Sequence, residues 1–153
     1  MPTPQDRSQP LLKLPKNQTP ALVTMHDGGE AQVFLFVAPG TSVTHLLEQA
    51  SQFVPMSFSS GTRLVAREAI ASISVHVMHA ALEDELPGER QHVLMRLRSS
   101  KTVKGELRWI APEHRRRTLD HLNDDASYLI VHDTEHVIYV AKAHIASVEE
   151  VQC

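Results

Sequence analysis

The chain reads nearly the same ten residues twice. "LVAREAIASI" (Leu64–Ile73) and "YVAKAHIASV" (Tyr139–Val148) align end to end without a gap. They share Val, Ala, Ile, Ala and Ser, and Arg67 and Ile73 meet Lys142 and Val148. The same offset pairs Leu47 with Leu122 and Phe53 with Tyr128, and a two-residue adjustment pairs Ala38-Pro39 with Ala111-Pro112. A strand-like run, a helix-like run and an Ala-Pro junction that agree in one order imply an internal duplication. With 153 residues divided this way, neither half can bury a comfortable core alone, so the halves are expected to pack together.

Each half has the same local grammar. "ALVTMHDGGEAQVFLFVAP" is a hairpin pattern whose turn, Asp27-Gly28-Gly29, tolerates positive φ. "GTSVTHLLEQASQ" follows as a helix, with Thr41 or Ser42 as its cap and Val43, Leu46, Leu47 and Ala50 at helical spacing. "FVPMSF" and "TRLVAREAIASISVHVM" are β-branched strand runs around Ser-Ser-Gly. In the second half "QHVLMRLRSSKTVKGELRWIAP", "EHRRRTLDHLNDD", "SYLIVHD" and "HVIYVAKAHIASVEEV" repeat this order. The predicted fold class is α+β, mainly β, with two tandem β-β-α-β-β units forming an intramolecular pseudo-dimer of small bent sheets. "ASISV" and "ASVEEV" would supply a fifth strand to each. The expected boundaries are a Pro-rich extended arm over 1–20, a first repeat over 21–80, an acidic linker over 81–90 and a second repeat over 91–153.

Composition excludes several classes. The single cysteine, Cys153, forms no intramolecular disulfide and suits a reducing compartment. No apolar run approaches the ~20 residues of a membrane helix, and the N-terminal stretch lacks a signal-peptide pattern. A cytoplasmic protein without membrane contact is the expectation. Of the catalytic motifs, only His132-Asp-Thr-Glu135-His136 matches one, the H-x-x-E-H pattern of certain zinc peptidases. That chemistry needs a helix, which puts both imidazoles on one face and lets the glutamate polarise the metal-bound water. Here "YLIV" and "VIYVA" flank the motif and have strand character, and the overlay sets it on "SFSSG" of the first half, so a hairpin loop is expected. His132 and His136 are therefore only weak metal candidates, for a remote metal-dependent hydrolase alternative. His76 and His79 would point to opposite faces of a strand, and His114 and His121 flank the second helix. There is no phosphate-cradling glycine loop and no G-x-S-x-G elbow. Glu83-Asp84-Glu85 suits a solvated linker. The reading is of a protein that is not an enzyme and has no cofactor.

The net charge of −3 conceals an uneven distribution. Between Arg90 and Arg117 nine cations meet only Glu106 and Glu113, a local +7 that leaves −10 for the rest. On strands, Arg96 and Arg98 would share one face, as would Lys104, Glu106 and Arg108, with Val103, Leu107 and Trp109 inward. Arg115, Arg116 and Arg117 would stand at the start of the second helix, against its dipole unless an acidic neighbour compensates. Arg96, Arg98, Lys104, Arg108 and Arg115–Arg117 are thus the candidate contacts for a partner protein or nucleic acid. The alternative is that this face packs on the acidic half or is a solvated surface laced with ion pairs. Phe53 and Tyr128, at equivalent places, are expected in the core, which leaves few exposed aromatics for stacking bases.

In the second half "TVKGELRW" is similar to the V-x-G-x-L strand of Sm-like small barrels, the fold of bacterial RNA chaperones. "YVAKAHIASV" resembles their Y-K-H-A-I-S-x-V segment, with Lys142, Ile145, Ser147 and Val148 in matching places. The RNA-contacting Tyr of that family falls on Ala141 and its His on Ala143, with His144 one place late. A helix also replaces the short turn between the second and third strands. The whole layout is similar to that of duplicated bacterial β-rich proteins. The resemblance implies a small bent sheet and, as an alternative function, RNA binding through the basic face. The reading from the residues is a noncatalytic binding or regulatory module. It meets a protein partner, a second copy included, through a sheet edge or the basic face.

Overall fold

A computed structural model describes residues 17–38, 41–49, 52–80, 88–111 and 117–152. Five strands and one helix come from the first half: β1 (Asn17–Met25), β2 (Glu30–Val37), α1 (Val43–Gln49), β3 (Phe53–Phe58), β4 (Gly61–Ala66) and β5 (Ile70–His76). The second half supplies β6 (Glu89–Leu97), β7 (Thr102–Trp109), α2 (Thr118–Leu122), β8 (Tyr128–His132), β9 (His136–Ala141) and β10 (Ile145–Glu150). A single 3-10 turn joins β4 to β5 and another joins β9 to β10. The protein is mainly β, one open antiparallel sheet of ten described strands with two short helices, in the order β10-β6-β7-β8-β9-β5-β1-β2-β3-β4. No helix among the described residues is long and apolar enough to cross a membrane.

The fifth strands expected from "ASISV" and "ASVEEV" form as β5 and β10. Two boundaries move. Asn17–Pro20, expected in the arm, belong to β1, and Glu89–Arg90, expected in the linker, open β6. Pro20 is tolerated in a strand because the β1–β5 ladder covers only Leu22–Met25 and makes no demand on its missing N–H. Residues 1–16 of the arm and 81–87 of the linker lie outside the described residues.

Local chemistry explains the turns. Asp27 Oδ1 accepts a hydrogen bond from Gly29 N at 2.9 Å, and Gly28 takes the left-handed φ of +92° that the β1–β2 turn requires. Ser42, one of the two expected caps, accepts from His45 N at the start of α1, and Val43 and Leu47 bury the helix's apolar side.

The strand pairing repeats rung by rung. The β1–β2 ladder, from Asn17 opposite Val37 to Thr24 opposite Glu30, recurs as the β6–β7 ladder, from Glu89 opposite Trp109 to Arg96 opposite Thr102. The β8–β9 ladder, from Tyr128 opposite Ala141 to His132 opposite Val137, likewise repeats β3–β4 from Phe53 opposite Ala66 to Ser57 opposite Thr62. The irregularity where β5 meets β1 between Thr24 and Met25 recurs where β10 meets β6, between Ile145 and Ser147. The offset between the halves changes between β7 and α2, where the second half is longer. Carried one residue past both ladders, this register sets Ala38 on Ile110, one place before the Ala111 that aligns with it in sequence.

Two cores form. The first gathers Val23, Val33, Leu35, Leu47, Ile70 and Ile73 of the first half, and takes in Val137 and Tyr139 from β9. The second gathers Val93, Met95, Leu107, Leu129, Val131 and Val140, and takes in Ala71 from β5. Neighbouring β9 residues therefore serve different cores, because side chains alternate across a strand. The β8–β9 hairpin is a shared wall.

Gly105, in the middle of β7, allows β8 to lie close. A Cβ there would stand 2.6 Å from Val131 Cγ1 and 2.7 Å from the His132 carbonyl oxygen. Gly105→Ala is expected to lower unfolding free energy by about 1–3 kcal/mol, the usual cost of overpacking. Urea denaturation checks this, and an unchanged midpoint would show that β7 and β8 do not meet so closely.

Candidate interaction edges and basic face

The HDTEH stretch is a hairpin loop. Asp133 Oδ1 accepts from both Glu135 N and His136 N at 2.7 Å, and Asp133 N donates to His136 O, closing the turn between β8 and β9. His132 lies opposite Val137, and His136 is the next residue along. Cross-strand partners share a face and neighbours alternate, so the two imidazoles leave opposite faces of the hairpin. This register does not bring the two weak metal candidates together. His136 instead faces His76 across the β5–β9 ladder, with ring centroids 5.6 Å apart, and His79 stacks edge-on 6.4 Å from His76. These three histidines line an open groove of about 510 Å³ with Gln32, Ser74 and Met78. Among the described residues no group of three or more His, Cys, Asp or Glu side chains is arranged to hold a metal ion. Burial holds the His132 pKa below its ordinary value, Arg108 and Arg90 push it the same way, and Glu106 opposes them.

The basic face forms, but with an acidic hub. The β6–β7 register sets Arg90 opposite Arg108, His92 opposite Glu106, Leu94 opposite Lys104 and Arg96 opposite Thr102. Those eight side chains share the outer face, while Val103 and Leu107 point into the core. Trp109 is half-buried and stacks on His121 at 4.9 Å. Glu106 collects Arg108 Nε at 2.6 Å and Arg90 Nη1 at 3.1 Å on one oxygen, and His92 Nε2 at 3.3 Å on the other. Partial burial works against its charge. The hydrogen bond and charge of Arg108, with Arg90 and His92, outweigh that and hold its carboxyl below the ordinary glutamate range. Arg96 and Lys104 are exposed and make no ion pair among the described residues.

The other basic candidates separate from this face. Arg98 lies just past β6, where its Nε donates to Ala143 O at 2.8 Å and its backbone N–H to His144 O. It braces the start of β10 and does not share a strand face with Arg96. Arg117 precedes α2 and binds Asp120, which also accepts from the Arg117 backbone N–H, so an acidic neighbour stands beside this one arginine at the helix start. Arg115 and Arg116 lie outside the described residues. Lys101 reaches across to the first half, at 3.2 Å from Glu30.

The junction between halves is the most developed contact surface. β5 and β9 pair over Ser72–His76 and His136–Val140, and Tyr139, 4 % exposed, closes the first core beneath them. At the two ends of the sheet, β4 and β10 each have one described strand neighbour. β4 is the counterpart of β9, and Leu64, the counterpart of Tyr139, is 70 % exposed. Phe53, expected in the core as the counterpart of Tyr128, is 55 % exposed. The expectation failed for a physical reason, since Tyr128 is covered by the first half and the first half has no described neighbour at β4. The sequence signal was the overlay itself, which sets both exposed residues on aromatic partners.

No protein-family model matches the chain. Neither a curated protein nor a solved structure matches it either.

The depressed Glu106 pKa fixes the sign of a pH effect. Its contribution to stability is fully present above the unfolded value of about 4.3 and is lost as the pH falls through the lower folded value. Glu106→Gln is expected to be less stable than wild type at pH 7, and the gap should close in acid. Denaturant unfolding at several pH values checks this, and a gap that stays constant with pH would contradict the assigned hub.

Proposed function

We propose that this protein is a noncatalytic binding module built of two Sm-like rolls, which engages protein partners by adding strands at the free edges of its sheet. Two observations support the Sm-like reading. Each half runs in the strand order fifth-first-second-third-fourth, and one 3-10 turn links its fourth and fifth strands. "TVKGELRW" supplies β7 with the close-packed Gly105, and "YVAKAHIASV" supplies β9, the turn and β10.

The observation that carries the functional reading is the β5–β9 junction. The molecule joins its own halves by strand addition, with ladder hydrogen bonds on the edge and alternate apolar side chains beneath. In this recognition mode the backbone supplies affinity and every second side chain supplies specificity. Among the described residues the same elements have no second strand neighbour at β4 and β10. A photo-crosslinking residue in place of Leu64 or Ala146 is expected to capture a protein in cells, and one in place of Thr102, on the basic face, is expected to capture none. Adducts at Thr102 alone would contradict the edge reading.

One observation favours a second reading. Arg90, Arg96, Lys104 and Arg108 share a single face, and two of them, Arg96 and Lys104, make no described ion pair. RNA bound there would lose affinity steeply with salt. Removing two phosphate contacts in the double variant Arg96→Ala, Lys104→Ala should lower the slope of log affinity on log salt by about 1.4. Anisotropy with single-stranded RNA reads this, and an unaltered slope, or no binding at low salt, would end it.

A further inference from the structure

We infer that the chain binds a copper(I) ion in the groove at the end of the β5–β9 ladder, through the imidazoles of His76 and His136 and the thioether of Met78.

A strand continued through His79 would part it from His76. Instead β5 ends at His76, and a 3-10 turn over Val77–His79 follows. Residues three apart eclipse in such a turn, so His79 comes back beside His76, with 6.4 Å between ring centroids. The turn is tied to the other half of the chain, because Val77 N donates to Glu135 O at 2.8 Å. His136 comes next, opens β9 and stands opposite His76, with ring centroids 5.6 Å apart and 76° between the planes. Two imidazoles that share one ion through bonds of about 2.0–2.1 Å have ring centres roughly 4.5–6.5 Å apart. The His76–His136 pair already lies within that range.

The ring nitrogens differ in readiness. Asp133 Oδ1 stands 3.8 Å from His136 Nδ1, and a carboxylate on that side favours the proton on Nδ1 and leaves the Nε2 lone pair for a metal. His76 Nδ1 accepts from Met78 N at 3.1 Å, which puts the proton of the neutral ring on Nε2. Ligation through Nε2 moves that proton to Nδ1 and hands the exposed Met78 N–H to water, so none is released. The turn keeps its own bond, from Ala80 N to Val77 O.

The lining of the groove selects the ion. Pro20, Leu22, Gln32 and Ser74 border it beside Met78, and no carboxylate is among the described lining residues. Calcium and magnesium, which take oxygen ligands, are poorly served there. Imidazole suits zinc and copper alike, whereas a thioether favours copper(I). Met78 is 80 % exposed, so its sulfur packs in neither core and is available to an ion. Two imidazoles and this sulfur make a three-donor set in which no third His, Cys, Asp or Glu is needed. His76 belongs to the first half and His136 to the second, so the ion clamps the two halves at the end of their shared ladder.

Anaerobic titration of the full chain with copper(I), against a chromophoric copper(I) chelator, tests this. Every sample carries Cys153→Ser, because the thiolate of the one cysteine would compete for a soft ion. The site is expected to take up one equivalent, and the Met78 methyl and the His76 and His136 ring protons are expected to shift in NMR spectra, copper(I) being diamagnetic. Met78→Leu is expected to weaken copper(I) about tenfold or more, while zinc(II), held by the imidazoles alone, is unaffected. His136→Ala should abolish binding at the site, and His26→Ala, on the exposed β1–β2 turn, should change nothing. Met78 is exposed, so Met78→Leu leaves the fold intact and the test does not rest on a variant that unfolds. Absence of copper(I) uptake, or a Met78 methyl that does not move, overturns the inference. So does a Met78→Leu variant that holds copper(I) as wild type does, or that loses both ions equally.

Discussion

The structure depends on one ladder, between β5 and β9. Without it the chain would hold two five-stranded halves, each with a core open on one side. With it, Val137 and Tyr139 complete the core of the first half while Val140 serves that of the second. The same few residues of β9 thus supply hydrogen bonds along the edge and apolar area on both faces. A 153-residue chain of small halves gains from such sharing, because small units bury too little surface on their own.

Much of this was legible in the sequence. Five residues common to Leu64–Ile73 and Tyr139–Val148 announced the duplication, and β-branched runs separated by Ser-Ser-Gly or by the HDTEH loop gave the strands. Periodicity also placed Val43 and Leu47 of α1 inward. Composition misled at Pro20, because a count of prolines does not say which strand edge is paired. What no pattern could give was the strand order. Hydrophobic alternation tells which face of a strand is covered but not which neighbour covers it, so Tyr128 and Phe53 looked alike. One lies against the first half, and the other is exposed.

The two sites that stood out in the sequence changed in character. In HDTEH the spacing of two histidines suits a metal on a helix, but on a hairpin the same spacing parts them, and Asp133 uses its carboxylate to make the turn. In the basic segment the net +7 overstated the free charge. Glu106 gathers Arg90, His92 and Arg108 around one carboxylate, and Arg98 is used in bracing β10. Counting charges along a chain misses such hubs because cross-strand partners are far apart in sequence. Glu106 lies on β7, whereas His92 and Arg90 lie on β6, on the far side of the turn that joins the two strands.

The most direct test of the central claim is amide hydrogen exchange across the sheet. If the β5–β9 ladder ties both halves into one cooperative unit, the bonded amides of Ser72–Val75 and Val137–Val140 exchange only through global unfolding, as slowly as those of β1 and β7. Exchange at these positions that is much faster than in β1 and β7 would show two halves that open apart, and would contradict the account.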